Sequence, residues 1–164
     1  MIKLEELYLR PIDKNDAFAV YLWELDQETQ GVTQSEIKVS LENIYTLIEQ
    51  QVDVYNSSQL RMMICLSKNS AAIGMVDLYD VDFKEAFGFV GVLIAEKGLR
   101  RKGHARQALK SMAQYAKKEL NLICLKAIVQ PHNEASIALF ESLDYTKYDD
   151  KTLDSTLISF KLAL

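Results

Sequence analysis

Arg100-x-x-Gly103-x-Ala105 is the arrangement in this chain best suited to do chemistry. An apolar, strand-like run, Val92 to Ala95, stops just before it, and an amphipathic pattern begins at Arg106. A strand, a basic turn and a helix start, in that order, make an anion site. The first turn of a helix carries N–H donors with no intrahelical acceptor, and its dipole favours negative charge. Gly103 lets the backbone approach a ligand, Ala105 keeps the helix start slim, and Arg100, Arg101 and Lys102 add positive charge. The ligand so predicted is a phosphate or pyrophosphate. Taken alone, the turn also reads as a basic surface loop before an ordinary helix. It is neither a P-loop nor a dinucleotide fingerprint, because Gly-x-x-x-x-Gly-Lys-Ser/Thr and Gly-x-Gly-x-x-Gly are both absent.

A second arrangement lies downstream. The strand-like run Leu122 to Val129 ends before Pro131, and Asn133-Glu134-Ala135-Ser136 opens a helical segment that carries Phe140 and runs to Leu143. Together with the basic turn, and more loosely with Leu9-Arg10-Pro11, this segment resembles the GNAT family of acetyl-CoA-dependent N-acetyltransferases. The resemblance spans most of the chain and is strongest from Ile73 to Tyr145. Within the family it looks most like the branch of the ribosomal-protein N-terminal and spermidine acetyltransferases.

The resemblance implies an α/β fold with a mixed, mainly antiparallel, splayed sheet and helices on both faces. It implies acetyl-CoA as cosubstrate, with the pantetheine arm lying along Leu93, Ile94 and Ala95 as an added strand would. Backbone N–H groups from Arg101 through Lys102, Gly103 and His104 to Ala105 would hold the pyrophosphate, with Arg100 and Arg101 able to pair with phosphate directly. Arg106 reads better as a solvated helix residue. Asn133 can hydrogen-bond pantetheine amides or cap its helix, and Ser136 can sit near the cofactor or bond a backbone carbonyl. Phe140 completes the implied cofactor set.

Acyl transfer to an amine needs a neutral nucleophile, donors for the oxyanion and help for the departing thiolate. Two departures from the family pattern bear on this. Many members carry a Glu base on the strand before the basic turn, where this chain has Val90 or Phe89. Many carry a Tyr acid where this chain has Phe140. The remaining acids near that strand are Asp77 and Asp80, which resemble acidic positions of the spermidine-acetylating branch. Their plainer readings are a wet strand face and a turn. The expected activity is acetyl transfer to a primary amine, of a polyamine-like small molecule or of a peptide N-terminus. The alternative is a catalytically weak acyl-CoA-binding module.

The elements that must position these residues follow from periodicity. Leu7 to Leu9 reads as a strand ended by Pro11, and Asp13 as the cap of a helix to Leu25 with Phe18, Leu22 and Leu25 on one face. Ser40 caps a second helix bearing Leu41, Ile44, Ile48 and Val52. Strands follow at Leu60 to Ser67, Ala72 to Tyr79 and Phe87 to Ala95, with Val81 to Ala86 as a charged connection. A helix with Ala105, Leu109, Met112, Ala116 and Leu120 at helical spacing comes next. Thr146 to Tyr148 and Thr156 to Leu162 read as a closing hairpin. The 164 residues fit a single domain, 1–164. A net charge of −4 argues against nucleic acid, and no apolar run reaches membrane-spanning length. The acidic start, Met1-Ile2-Lys3-Leu4-Glu5-Glu6, reads as cytoplasmic. Cys65 and Cys124 in apolar runs read as buried free thiols, and no Cys/His cluster suggests a metal. The expected partner is an amine acceptor, and a homodimer is a possible assembly.

Overall fold

The computed structural model describes residues 6–26 and 39–164. Seven strands form one sheet: β1 (Leu7–Pro11), β2 (Leu60–Leu66), β3 (Ala72–Asp82), β4 (Phe87–Ile94), β5 (Cys124–Val129), β6 (Thr146–Tyr148) and β7 (Ile158–Ala163). Their spatial order is β1-β2-β3-β4-β5-β7-β6. Every neighbouring pair is antiparallel except β4 and β5. The helices are α1 (Ala17–Leu25), α2 (Leu41–Gln50), the short α3 (Val54–Ser57), α4 (His104–Leu120) and α5 (Glu134–Ser142).

Side chains alternate across the sheet, so each strand feeds two cores. Met62, Ile64, Val76, Leu78, Val90 and Ile94 pack with Ala108, Leu109, Met112 and Phe140 of α4 and α5. Met63, Cys65, Met75 and Leu93 pack with Ala17 and Val20 of α1 and Ile44 and Ile48 of α2. Helices therefore cover both faces. The α1/α2 face is the one that carries Arg61, Asp77, Tyr79 and Phe89, which share the parity of these second-core residues.

The entry to α1 is fixed by charge. Asp13 caps a 3-10 turn (Lys14–Asp16) by accepting from Asn15 N at 2.7 Å, while Asp16 Oδ2 accepts from Asp13 N at 2.9 Å. Arg10 grips the Asp16 carboxylate with both terminal nitrogens, at 2.7 and 2.8 Å. Ser40 caps α2 through Asn43 N at 3.1 Å.

Three expectations change. The Phe18, Leu22 and Leu25 stripe of α1 faces outward (Phe18 is 62% exposed), and Ala17 and Val20 face the sheet. α1 is apolar nearly all round, so spacing did not single out its buried face, and the smaller side chains permit close packing. Val52 lies beyond α2, which ends at Gln50. β3 runs on through Asp82, because one extra residue is absorbed between the Tyr79↔Phe89 and Asp82↔Phe87 pairs, where Asp80 takes a φ of 47°. Both cysteines are free thiols, Cys65 buried and Cys124 half-buried.

Candidate active site

The parallel contact between β4 and β5 covers only Phe87↔Cys124, Gly88↔Leu125 and Phe89↔Lys126. Beyond Phe89 the two strands part. β5 turns its outer edge to β7 as far as Val129, and β4 stays on β3 as far as Ile94. A wedge-shaped gap opens between them, about 17 Å long from Phe89 to Ile94 at ~3.3 Å per residue.

Which groups of β4 face this gap follows from the period of two. Ala95 N donates to Ile73 O at 2.8 Å, so Ala95 and Leu93 direct their backbone toward β3. Gly74 supports this parity: any Cβ there would strike the Leu93 carbonyl. The backbone groups of Val92 and Ile94 therefore point into the gap. Of the three strand residues singled out from sequence, Ile94 has this orientation, while Leu93 and Ala95 bond β3. Val92 was missed, although its parity with Ile94 was legible once Leu93 was assigned.

At its wide end the gap meets the basic turn. Gly103 is the N-cap of α4 with φ 86° and ψ 3°, and no side chain caps this helix. Arg101 is also left-handed, at φ 62°. Left-handed residues at a helix start can turn successive N–H groups to one side, an arrangement suited to an anion. Arg101 and Lys102 are exposed beside it, and Ala105 is half-buried. Arg100 turns inward, donating from Nε to Ile94 O at 2.8 Å. His104, the first residue of α4, is buried. Arg106 reaches across to α5, donating to the Ser142 carbonyl and hydroxyl at 2.8 Å each.

Asn133 is the N-cap of α5: its Oδ1 accepts from Ser136 N at 3.1 Å, which leaves Nδ2 as the donor for any ligand. Ser136 is half-buried. Phe140 is a core residue, edge-on to Tyr145 at 5.0 Å between ring centres and stacked on Phe160 at 5.9 Å.

On the α1/α2 face, Asp77 lies opposite Gly91 of β4. Arg61 Nε and Nη2 donate to the two Asp77 oxygens at 2.7 and 2.9 Å, and Nη1 donates to Glu24 Oε1 at 2.6 Å. Burial works against the Arg61 charge, but the Asp77 and Glu24 carboxylates outweigh it and raise the guanidinium further above its ordinary range. Gln51 fixes Arg61 from behind, bonding its backbone N–H at 2.9 Å and its carbonyl at 3.2 Å. Two carboxylates against one guanidinium leave the cluster with a charge of −1. Sequence spacing offered no hint of it, since Glu24 and Arg61 are 37 residues apart. A Cβ on Gly91 would meet nothing within 4 Å, so the ground beside Asp77 is open.

Tyr79 stacks on Phe89 at 5.7 Å, and its hydroxyl is pushed up to about 12, first by burial and then by the charges of Asp77 and Asp80. Asp80 is exposed on the bulge. Of the two positions weighed for the family base, Val90 is buried in the α4 core and Phe89 lies on the α1/α2 face. Across the narrow end of the gap, Lys126 Nζ sits 3.9 Å above the Phe87 ring, 5.8 Å from that of Phe89 and 5.7 Å from that of Tyr148. Among the described residues no group of three His, Cys, Asp or Glu could hold a metal, and no helix is long and apolar enough to cross a membrane.

Comparison with known proteins agrees with this geometry. Residues 6–146 match the acetyltransferase (GNAT) domain family. Human alpha/beta-tubulin-N-acetyltransferase 9 is 27% identical over 132 residues, covering 75% of this chain and 63% of the relative. The chain thus spans less than two thirds of that relative's length. Spermidine N-acetyltransferase from Vibrio cholerae, solved in complex with CoA and spermine, superposes with a TM-score of 0.82 at 15% identity, over 96% of this chain and 95% of that one. A domain from Methanocaldococcus jannaschii superposes with a TM-score of 0.79 at 19% identity, over 98% and 99%. These two likenesses are of fold. The sheet that parts between β4 and β5, the left-handed basic turn beyond it and a family match over residues 6–146 lead to one conclusion: this chain belongs to the GNAT family of acetyltransferases.

Proposed function

We propose that the chain transfers acetyl from acetyl-CoA to a primary amine, of a polyamine-like small molecule or of a peptide N-terminus. The observation that carries this reading is the gap, with Val92 and Ile94 facing it and the uncapped start of α4 at its wide end. An amide-bearing arm can pair with the edge of β4 as an added strand does. Its diphosphate then reaches the N–H groups of residues 101–105, with Arg101 and Lys102 beside them. Asn133 Nδ2 is the remaining donor for the arm, and the start of α5 brings Ser136 beside it.

The acceptor enters from the α1/α2 face, over Gly91. The Glu24–Arg61–Asp77 cluster, with its charge of −1, attracts an ammonium there, and Asp80 adds a third carboxylate. Asp77 has both oxygens on Arg61, so it serves the acceptor by charge more readily than by taking its proton. The relatives' names point to different acceptors, spermidine and tubulin, which keeps both amine classes open. The second reading, an acyl-CoA-binding module of low turnover, draws on Val90 or Phe89, and Phe140, standing where a base and an acid are common.

Calorimetry with acetyl-CoA, followed by thiol release with spermidine and with short unblocked peptides, separates the two. Gly103→Ala places a Cβ at a left-handed N-cap, costing about 1–2 kcal/mol. A domain of ordinary stability, about 5–15 kcal/mol, survives that. Affinity for acetyl-CoA should fall at least tenfold in this variant. Unchanged affinity would place the diphosphate elsewhere, and binding without turnover on either acceptor class would favour the binding module.

A further inference from the structure

Lys126 plays no part in the cofactor and acceptor contacts above, yet it occupies the most informative point of the gap. Phe89↔Lys126 is the last β4–β5 pair before the strands part. On the reading of the gap as the acetyl-CoA site, the diphosphate lies at the wide end, and the thioester lies at the narrow end beside this pair. The ammonium is clamped there by ring faces: Phe87 at 3.9 Å, with Phe89 and Tyr148 at 5.8 and 5.7 Å. Phe87 and Phe89 share one face of β4 because they are two residues apart, and this is the face toward the acceptor.

The nature of the clamp matters. A carboxylate partner would neutralise the ammonium and occupy its N–H groups. An aromatic face attracts the cation through its quadrupole and leaves both the charge and the N–H donors in play. Among the described residues no ion pair ties Lys126 to a carboxylate. The charged groups nearby are Asp150, which accepts from the Tyr148 hydroxyl at 3.0 Å and whose ionised form Lys126 helps to favour, and Lys161, with Nζ 5.2 Å from the other ring contact, Tyr148.

We infer that Lys126 supplies the positive charge against which the thioester's negative charge develops, a role Phe140 cannot fill as a proton donor. The amine lone pair forms the C–N bond while the carbonyl π pair moves onto oxygen. The oxygen pair then re-forms the carbonyl as the C–S bond breaks, the C–S electron pair leaves on sulfur as the thiolate, and the surplus proton of the nitrogen passes to water. Lys126 keeps its proton throughout and acts by charge, in a site partly shielded from water where such stabilisation is effective. A like charge also disfavours an ammonium beside it, which helps keep the attacking amine neutral.

The test uses hydroxylamine as probe nucleophile, because it is neutral at pH 7 and needs no base. Thiol release from acetyl-CoA is followed for the parent, Lys126→Met and Lys126→Arg, with Lys126→Gln standing in should the Met variant fail to fold. The expected result is a loss of at least tenfold in kcat for Met or Gln, retention within threefold for Arg, and an unchanged KM for acetyl-CoA in all. A Met or Gln variant within threefold of the parent overturns the proposal, and so does an Arg variant as impaired as the Met one. A parent that binds acetyl-CoA but releases no thiol above the protein-free rate with hydroxylamine, spermidine or unblocked peptides overturns the acetyl-transfer reading itself, and is distinguishable from either.

Discussion

Arg61→Gln is the substitution whose consequence is most fully determined by the structure. The guanidinium makes three hydrogen bonds of 2.6–2.9 Å to two carboxylates, and its side chain is only 14% exposed. Removing it leaves Asp77 and Glu24 as neighbouring like charges without their common partner. Breaking a buried ion pair by truncating one side costs about 3–5 kcal/mol. Here the carboxylates are 28% and 23% exposed, so water takes up part of the loss, and we expect roughly 2–3 kcal/mol. At about 2–4 °C per kcal/mol for a domain of this size, the melting temperature should fall by roughly 5–10 °C. Thermal unfolding of the single variant and of Arg61→Gln/Glu24→Gln/Asp77→Asn gives the decisive pair. The triple variant has no stranded charge and should recover at least half the loss. A single variant within about 2 °C of the parent, or a triple variant no better than the single, would refute the view that this cluster is a buried, mutually dependent unit.

The two acids should separate. Asp80→Asn, exposed on its bulge, should raise the acceptor KM and leave the melting temperature unchanged, whereas Asp77→Asn should lower both stability and acceptor affinity; steady-state kinetics and melting curves check both. Phe140→Tyr places a hydroxyl at a site 4% exposed between Tyr145 and Phe160, so denaturant unfolding should register a loss of about 1–3 kcal/mol, and equal or greater stability would show a polar partner there. The Asp16 carboxyl is held below its ordinary range: burial pushes it up, and the Arg10 hydrogen bonds and the Asp13 N–H outweigh that. Its stabilising contribution is therefore present above the unfolded carboxylate range, near ~3.9, and lost as pH falls through the folded value. Asp16→Asn should flatten the acid limb of the stability–pH curve and lower stability at neutral pH.

Local signals in the sequence carried the site's frame. Ser40 and Asn133 as caps, and the succession of strands and helices along the chain, were legible because each depends on neighbours within a few residues. What escaped was set by distant partners. Glu24, Arg61 and Asp77 are unremarkable charges until the sheet brings them together. Lys126 looks like the polar half of an alternating strand until Phe87 and Phe89 are placed beside it. Arg106 reads as a solvated helix residue, yet it bonds the Ser142 carbonyl 36 residues away. The buried face of α1 was hidden by a helix that is apolar on nearly every side.

On the proposed reading, acetyl-CoA lies along the free edge of β4 with its diphosphate at the start of α4. Residue-resolved amide hydrogen exchange, with and without saturating acetyl-CoA, tests it most directly. Exchange should slow at least tenfold at Val92 and Ile94, whose N–H groups face the gap, and at His104 and Ala105 in the first turn of α4. Leu93, already bonded to β3, should change little. Saturation with acetyl-CoA that leaves Val92 and Ile94 unprotected, or that protects Leu93 in their place, would contradict it.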